Sequence, residues 1–241
     1  MEKPTEKTRI WELDALRGLF LLCMMGFHIA FDLTSFADVP IRMPAFLHFV
    51  QDYGGTLFIL LSGICATLGK KSAKRGAVVF GCAMLITAVT AVLARLGFCG
   101  DDFVIRFGIL HLLGVSMLLY LLVRRWKTLP LCLLGAALVA LGFYVETLRV
   151  QVSFLFPLGL VTNQFASGDF FPLLPNFGWF LLGVCLGRTL YREKRSLLPH
   201  FPSSCAPVRA LRFCGRYSLQ LYLLHQPVFI LLIAGAAALL R

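Results

Sequence analysis

Arg17 and His28 stand at the two ends of an otherwise apolar run, RGLFLLCMMGFH, with Asp14 three residues before the arginine and Asp32 four residues after the histidine. On an α-helix, eleven residues turn back to within about 20° of the starting direction and rise about 16 Å. Asp14, Arg17, His28 and Asp32 therefore form one polar stripe down a helix whose other faces are hydrocarbon. Each type brings a chemistry. A guanidinium pairs with anions such as phosphate. An imidazole accepts protons near neutral pH, and a carboxylate one turn away orients it and supports its charged form. His28 and Asp32 are thus candidate catalytic residues, a general base and its orienting group. Arg17 pairs with Asp14 at i,i+3, a pair that serves equally well as an interfacial anchor or as part of a functional stripe.

Other segments add to this set. FLHFVQDYGG carries His48 and Asp52 at i,i+4, which makes His48 a second candidate base. YSLQLYLLHQPVF puts Ser218, Tyr222 and His225 on one helix face, and VIRFGILHLLG carries Arg106 and His111. Arg106, His111, Asp169, Tyr222 and His225 are candidates to line the site. A lone intramembrane histidine is commonly a helix–helix hydrogen bond. Four of the chain's five histidines lie within or at the edge of apolar segments, which asks for more than that. The eight cysteines form no C-x-x-C pair and stand at no metal spacing with a histidine, so neither a metal site nor a disulfide framework is expected.

The elements that must position these groups follow from composition. The chain of 241 residues is 59% hydrophobic and 15% charged, with a mean hydropathy of +0.81. A soluble domain has about a quarter of its residues charged. The apolar residues fall in blocks of about twenty, the length that spans a hydrocarbon core of roughly 30 Å. Seven spans are expected: Leu13–Phe31, Phe46–Leu68, Gly76–Leu96, Phe103–Val123, Leu129–Val145, Pro172–Leu190 and Tyr217–Leu240. They make an all-α, polytopic membrane bundle of one domain. Within it the polar stripe faces protein or a wet cavity, because lipid does not solvate it. The first span has no small-residue cleavage site and reads as an anchor, not a removable signal.

The net charge of +11 has a topological reading. Seventeen of the 23 basic residues fall on one side of a seven-span arrangement: Lys3, Lys7 and Arg9; Lys70 to Arg75; Arg124 to Lys127; and the run from Arg188 to Arg216. Arg42, Arg95, Arg106, Arg149 and Arg241 fall on the other, along with Asp38, Asp101, Asp102 and Asp169. This positive-inside pattern makes the N-terminus cytoplasmic and the C-terminus external. Nucleic acid is not the expected partner. A basic cytoplasmic face suits membrane lipid or a phosphorylated ligand.

ELDALRGLFLLCMMGFHIAFDL resembles the first helix of the transmembrane acyltransferases, in particular the bacterial relatives of the heparan-alpha-glucosaminide N-acetyltransferase catalytic domain. Its arginine–histidine spacing is similar to that of the wider acyltransferase-3 group. RFGILHLLGVSMLL, FFPLLPNFGWFLLGVCLGR and GRYSLQLYLLHQPV also resemble segments of the family, so the likeness runs from about residue 10 to residue 230. Better-known relatives have about ten spans; this chain has fewer. The resemblance implies an acetyl-CoA or other acyl-CoA co-substrate entering from the cytoplasm, with Arg17 and Asp14 on its path. It also implies a glycan or other small extracytoplasmic acceptor, whose hydroxyl or amine His28 deprotonates for direct transfer, an acyl-histidine route being the variant. In the human-type enzyme the active histidine lies in the outer segment after the first span, near His48 here. Of the two bases offered, the arginine spacing and Asp32 favour His28. A bacterial plasma membrane location follows from the same resemblance, and the oligomeric state is open, a homodimer included.

Two other classes compete. A proton-coupled transporter also places Asp, His and Arg inside its spans, though internal repeats are common there and none is visible here. A scaffold protein leaves the four-residue stripe unexplained.

Overall fold

A computed structural model describes residues 9–36, 44–69, 71–202 and 204–239. Lys3, Lys7, Asp38, Arg42, Lys70 and Arg241, used in the charge asymmetry, lie outside the described residues. Those residues are helical with connecting turns and carry no strand. The helices are α1 (Trp11–Phe36), α2 (Ala45–Leu68), α3 (Ser72–Arg95), α4 (Ile109–Val123), α5 (Thr128–Val145), α6 (Leu173–Leu190), α7 (Ala206–Arg216) and α8 (Ser218–Leu239). Five of them are long and apolar enough to cross a membrane: α1 over Trp11–Thr34, α2, α3, α5 and α6. The remaining two expected spans correspond to α4 and to the Ser218–Ile233 stretch of α8, which are apolar but shorter. Large side chains such as Leu85, Val92, Leu133 and Leu231 point outward, as lipid contact requires.

Two expectations are revised. The span expected from Phe103 begins at Ile109. Asp101–Phe103 forms a 3-10 turn, and Phe107 makes an isolated bridge to Phe170, so an apolar run is used as connecting chain. The charged connection before the last span contains a helix of its own, α7, opened by Pro207 in its first turn. Proline is tolerated there because the first amides of a helix have no partner.

The chain divides into two compact units, Ile59–Arg192 and the terminal pair Met1–Phe58 with Glu193–Arg241. In the central unit α3 packs on α4, and α6 packs on α5 and α4. The second half of α2 joins it through glycines: a Cβ at Gly63 would land on the Phe180 carbonyl, and one at Gly183 on the Leu60 carbonyl. Small residues at such crossings let backbones touch, which is the packing available to helices in lipid. Ile59, Leu112, Leu131, Phe180, Leu181 and Val184 are fully buried there.

The terminal unit packs α1 on α7 and α8. Its seam is also glycine: a Cβ at Gly18 would meet the Leu211 carbonyl, and one at Gly215 the Asp14 carbonyl. The first turn of α1 is fastened to the chain ahead of α7. Glu12 accepts hydrogen bonds from the Ser196 hydroxyl and the Leu197 N–H, both at 2.8 Å. Trp11 stacks on Phe201 with ring centres 5.2 Å apart.

Candidate active site

One helical turn of α1, from His28 to Asp32, meets one turn of α8, from Tyr222 to Gln226. Asp32 is 1% exposed, and both its oxygens accept from the Gln226 amide nitrogen, at 3.0 and 2.9 Å. A carboxylate so deep in the protein is costly unless hydrogen-bonded, and here the amide supplies the donors. The contact also fixes which way the amide points, since its oxygen would be repelled by the carboxylate.

His225 is 7% exposed. Its Nδ1 lies 2.6 Å from the Tyr222 carbonyl oxygen. A carbonyl only accepts, so Nδ1 carries the hydrogen and Nε2 holds a lone pair. Among the described residues that Nε2 has no partner, and neither does the Gln226 Oε1. The His28 ring is tilted against His225 with centres 5.2 Å apart. Tyr222 and Phe229 pack on His225 at 5.4 and 5.7 Å. Pro227 follows immediately within α8 and leaves the Leu223 carbonyl without its usual amide donor.

Among the expected residues, the structure gathers His28, Asp32, Tyr222 and His225. The expected pairing of Asp32 with His28 is replaced: Asp32 bonds to Gln226, and His28 makes no hydrogen bond among the described residues. Gln226 was not foreseen, although an amide in an apolar segment, four residues after Tyr222, was the available signal. Nearer the start of α1, Asp14 sits between Arg9 at 3.3 Å and Arg17 at 3.9 Å. The Arg17 side chain is only 14% exposed with that loose partner. His48 is exposed on the first turns of α2 and makes no contact with the α1–α8 cluster among those described.

The other candidates lie in the central unit, where they hold the start of α4. His111 Nδ1 accepts the Gly108 N–H at 3.2 Å. Its Nε2 therefore carries the hydrogen and donates to the Thr87 hydroxyl at 3.1 Å, which donates onward to the Ile105 carbonyl at 2.6 Å. Asp169 accepts the Ile109 N–H at 3.0 Å, a negative charge at a helix N-terminus. Arg106 bonds Asp101 at 2.8 Å and the Ala166 carbonyl at 3.1 Å. These three are committed to the architecture around that helix end.

The family model described as heparan-alpha-glucosaminide N-acetyltransferase, catalytic, matches residues 9–227. That stretch runs from the start of α1 to the residue after Gln226. Neither the comparison with curated proteins nor that with solved structures gives a match.

Proposed function

The chain belongs to the heparan-alpha-glucosaminide N-acetyltransferase catalytic family, and from that premise we propose that it transfers an acetyl or other acyl group from cytoplasmic acyl-CoA to an acceptor outside the membrane. The acceptor is a hydroxyl or amine of a sugar, and the membrane is the bacterial plasma membrane. The observation that carries this reading is the cluster of buried Asp32 and His225 with half-buried His28 and Gln226, polar and proton-handling groups held between two apolar helices. A histidine of the cluster takes the acceptor's proton as the acceptor attacks the thioester carbonyl. Arg17 serves the donor side. Its nearly buried guanidinium has a loose partner, and the adjacent Gly18 touches α7, which exposes Arg209 and Arg216. Phosphates of the donor suit that charge.

The test is consumption of labelled acetyl-CoA by the purified protein in nanodiscs, with glucosamine as probe acceptor. Arg17→Ala should raise the KM for acetyl-CoA by roughly tenfold or more, the value of one charged hydrogen bond, while the protein still folds. Equal KM values make Arg17 structural. Labelling of a cysteine at position 124 by impermeant reagent from outside intact cells would reverse the proposed orientation. The buried Asp32 also favours a second reading, a proton-coupled transporter. Proton-driven uptake by proteoliposomes that consume no acetyl-CoA would establish it instead.

A further inference from the structure

We propose that the proton-accepting atom is Nε2 of His225, with Gln226 Oε1 as a second acceptor for the same ligand and Asp32 as the positioning residue that aims it; this rests on the acyl-transfer reading above. The two imidazoles of the cluster are not equivalent. Among the described residues His28 has no hydrogen bond to select a tautomer, and it is half-buried. His225 has its hydrogen placed on Nδ1 by the Tyr222 carbonyl, which leaves the neutral ring's lone pair on Nε2. An unpartnered buried acceptor is costly, and His225 Nε2 and Gln226 Oε1, on side chains both turned toward α1, are two such acceptors among the described residues, which call for a ligand that brings hydrogens.

Gln226 cannot relieve this by flipping, because its amide nitrogen donates to the Asp32 carboxylate and a flip would set oxygen against oxygen. A hydroxyl or amine has the missing donors. In the step, His225 Nε2 takes the hydrogen of the acceptor O–H or N–H as that oxygen or nitrogen bonds to the thioester carbonyl carbon. When the carbon–sulfur bond breaks, the leaving thiolate takes the proton from Nε2, which returns the imidazole to neutral and releases the free thiol. His28, one ring away, walls the ligand site.

The experiment uses the full chain, 15N-labelled at histidine, in nanodiscs, with acetyl-CoA turnover measured on the same samples. The NMR spectrum should contain one histidine with a protonated Nδ1 and a bare Nε2 that disappears in His225→Gln. The His111 signals, of the opposite tautomer, should persist there and report an intact fold. Turnover in His225→Gln should fall by about 100-fold or more, the usual contribution of a general base, with the KM for acetyl-CoA within about twofold. His28→Gln should lose less than about tenfold.

Loss of the bare-Nε2 signal in His28→Gln, or normal turnover in His225→Gln beside a dead His28→Gln, overturns the assignment and leaves acyl transfer standing. Wild-type protein that consumes no acetyl-CoA overturns both.

Discussion

His111 and His225 are both buried histidines on apolar helices, and their surroundings differ in one respect that decides what each can do. His111 spends both ring nitrogens, one on the Gly108 amide and one on Thr87. His225 spends one, on Tyr222, and keeps the other open. The units around them differ in what they bury. The central unit fills its driest positions with hydrocarbon, Phe180, Ile59, Leu112, Leu131, Leu181 and Val184, together with Ser116, whose hydroxyl has no partner among the described residues. In the terminal unit the side chain buried to that degree, among those described, is a carboxylate, Asp32. A histidine with full valence stabilises a helix end. One with a spare lone pair, beside an amide with a spare oxygen, is a site waiting for donors. Residue type and burial do not separate these cases; the hydrogen-bond accounting does.

Five substitutions test this contrast. His111→Ala strips the Gly108 amide of its acceptor and Thr87 of its donor inside the protein, which should cost about 3 kcal/mol, read from unfolding in detergent. Turnover per folded molecule should be unchanged; a collapse of turnover at normal stability would erase the distinction between the two histidines. Asp32→Asn should do the reverse, since it frees the Gln226 amide to turn. Acetyl-CoA turnover should fall about 100-fold, equivalent to roughly 2.7 kcal/mol, with an unfolding shift smaller than that of His111→Ala. Gly18→Ala and Gly63→Ala press a methyl onto a carbonyl of the neighbouring helix and should each cost about 2 kcal/mol. Similar losses would confine the difference between the units to their polar groups. Asp169→Asn keeps an acceptor for the Ile109 amide but removes the charge, which should cost about 0.5 kcal/mol with turnover unaffected.

Sequence made the face of α1 legible. The i,i+4 spacing of His28 and Asp32, and the Tyr222–His225 stripe of α8, put these side chains toward protein. Periodicity says which side of a helix faces inward and not which helix it meets, so the sequence pairs Asp32 with its neighbour His28 while the fold pairs it with Gln226. Arg106, His111 and Asp169 looked alike by type and position. Only their partners separate a helix cap from a reactive group, and those partners lie up to 60 or more residues away. The start of α4 was hidden because hydropathy reads Phe103–Gly108 as membrane whether it coils or runs extended. α7 was hidden for the opposite reason: its arginines looked like a loop, while the glycine that seats it on α1, Gly215, carries no signal in composition.

The Asp32–Gln226 contact also sets a timetable for synthesis. Its partners are 194 residues apart, and Glu12 waits 185 residues for the Leu197 amide. At the usual pace of about 5–20 residues per second, α1 emerges from the ribosome some 10–40 s before α8 exists. The central unit is one continuous stretch and has all its partners in hand by Arg192. The terminal unit does not, and for that interval a newborn first helix must keep its carboxylate without the amide that will receive it. A ribosome that stalls between α7 and Gln226 leaves a first helix already seated on α7 but with Asp32 buried and unmatched, a natural mark for quality control to recognise.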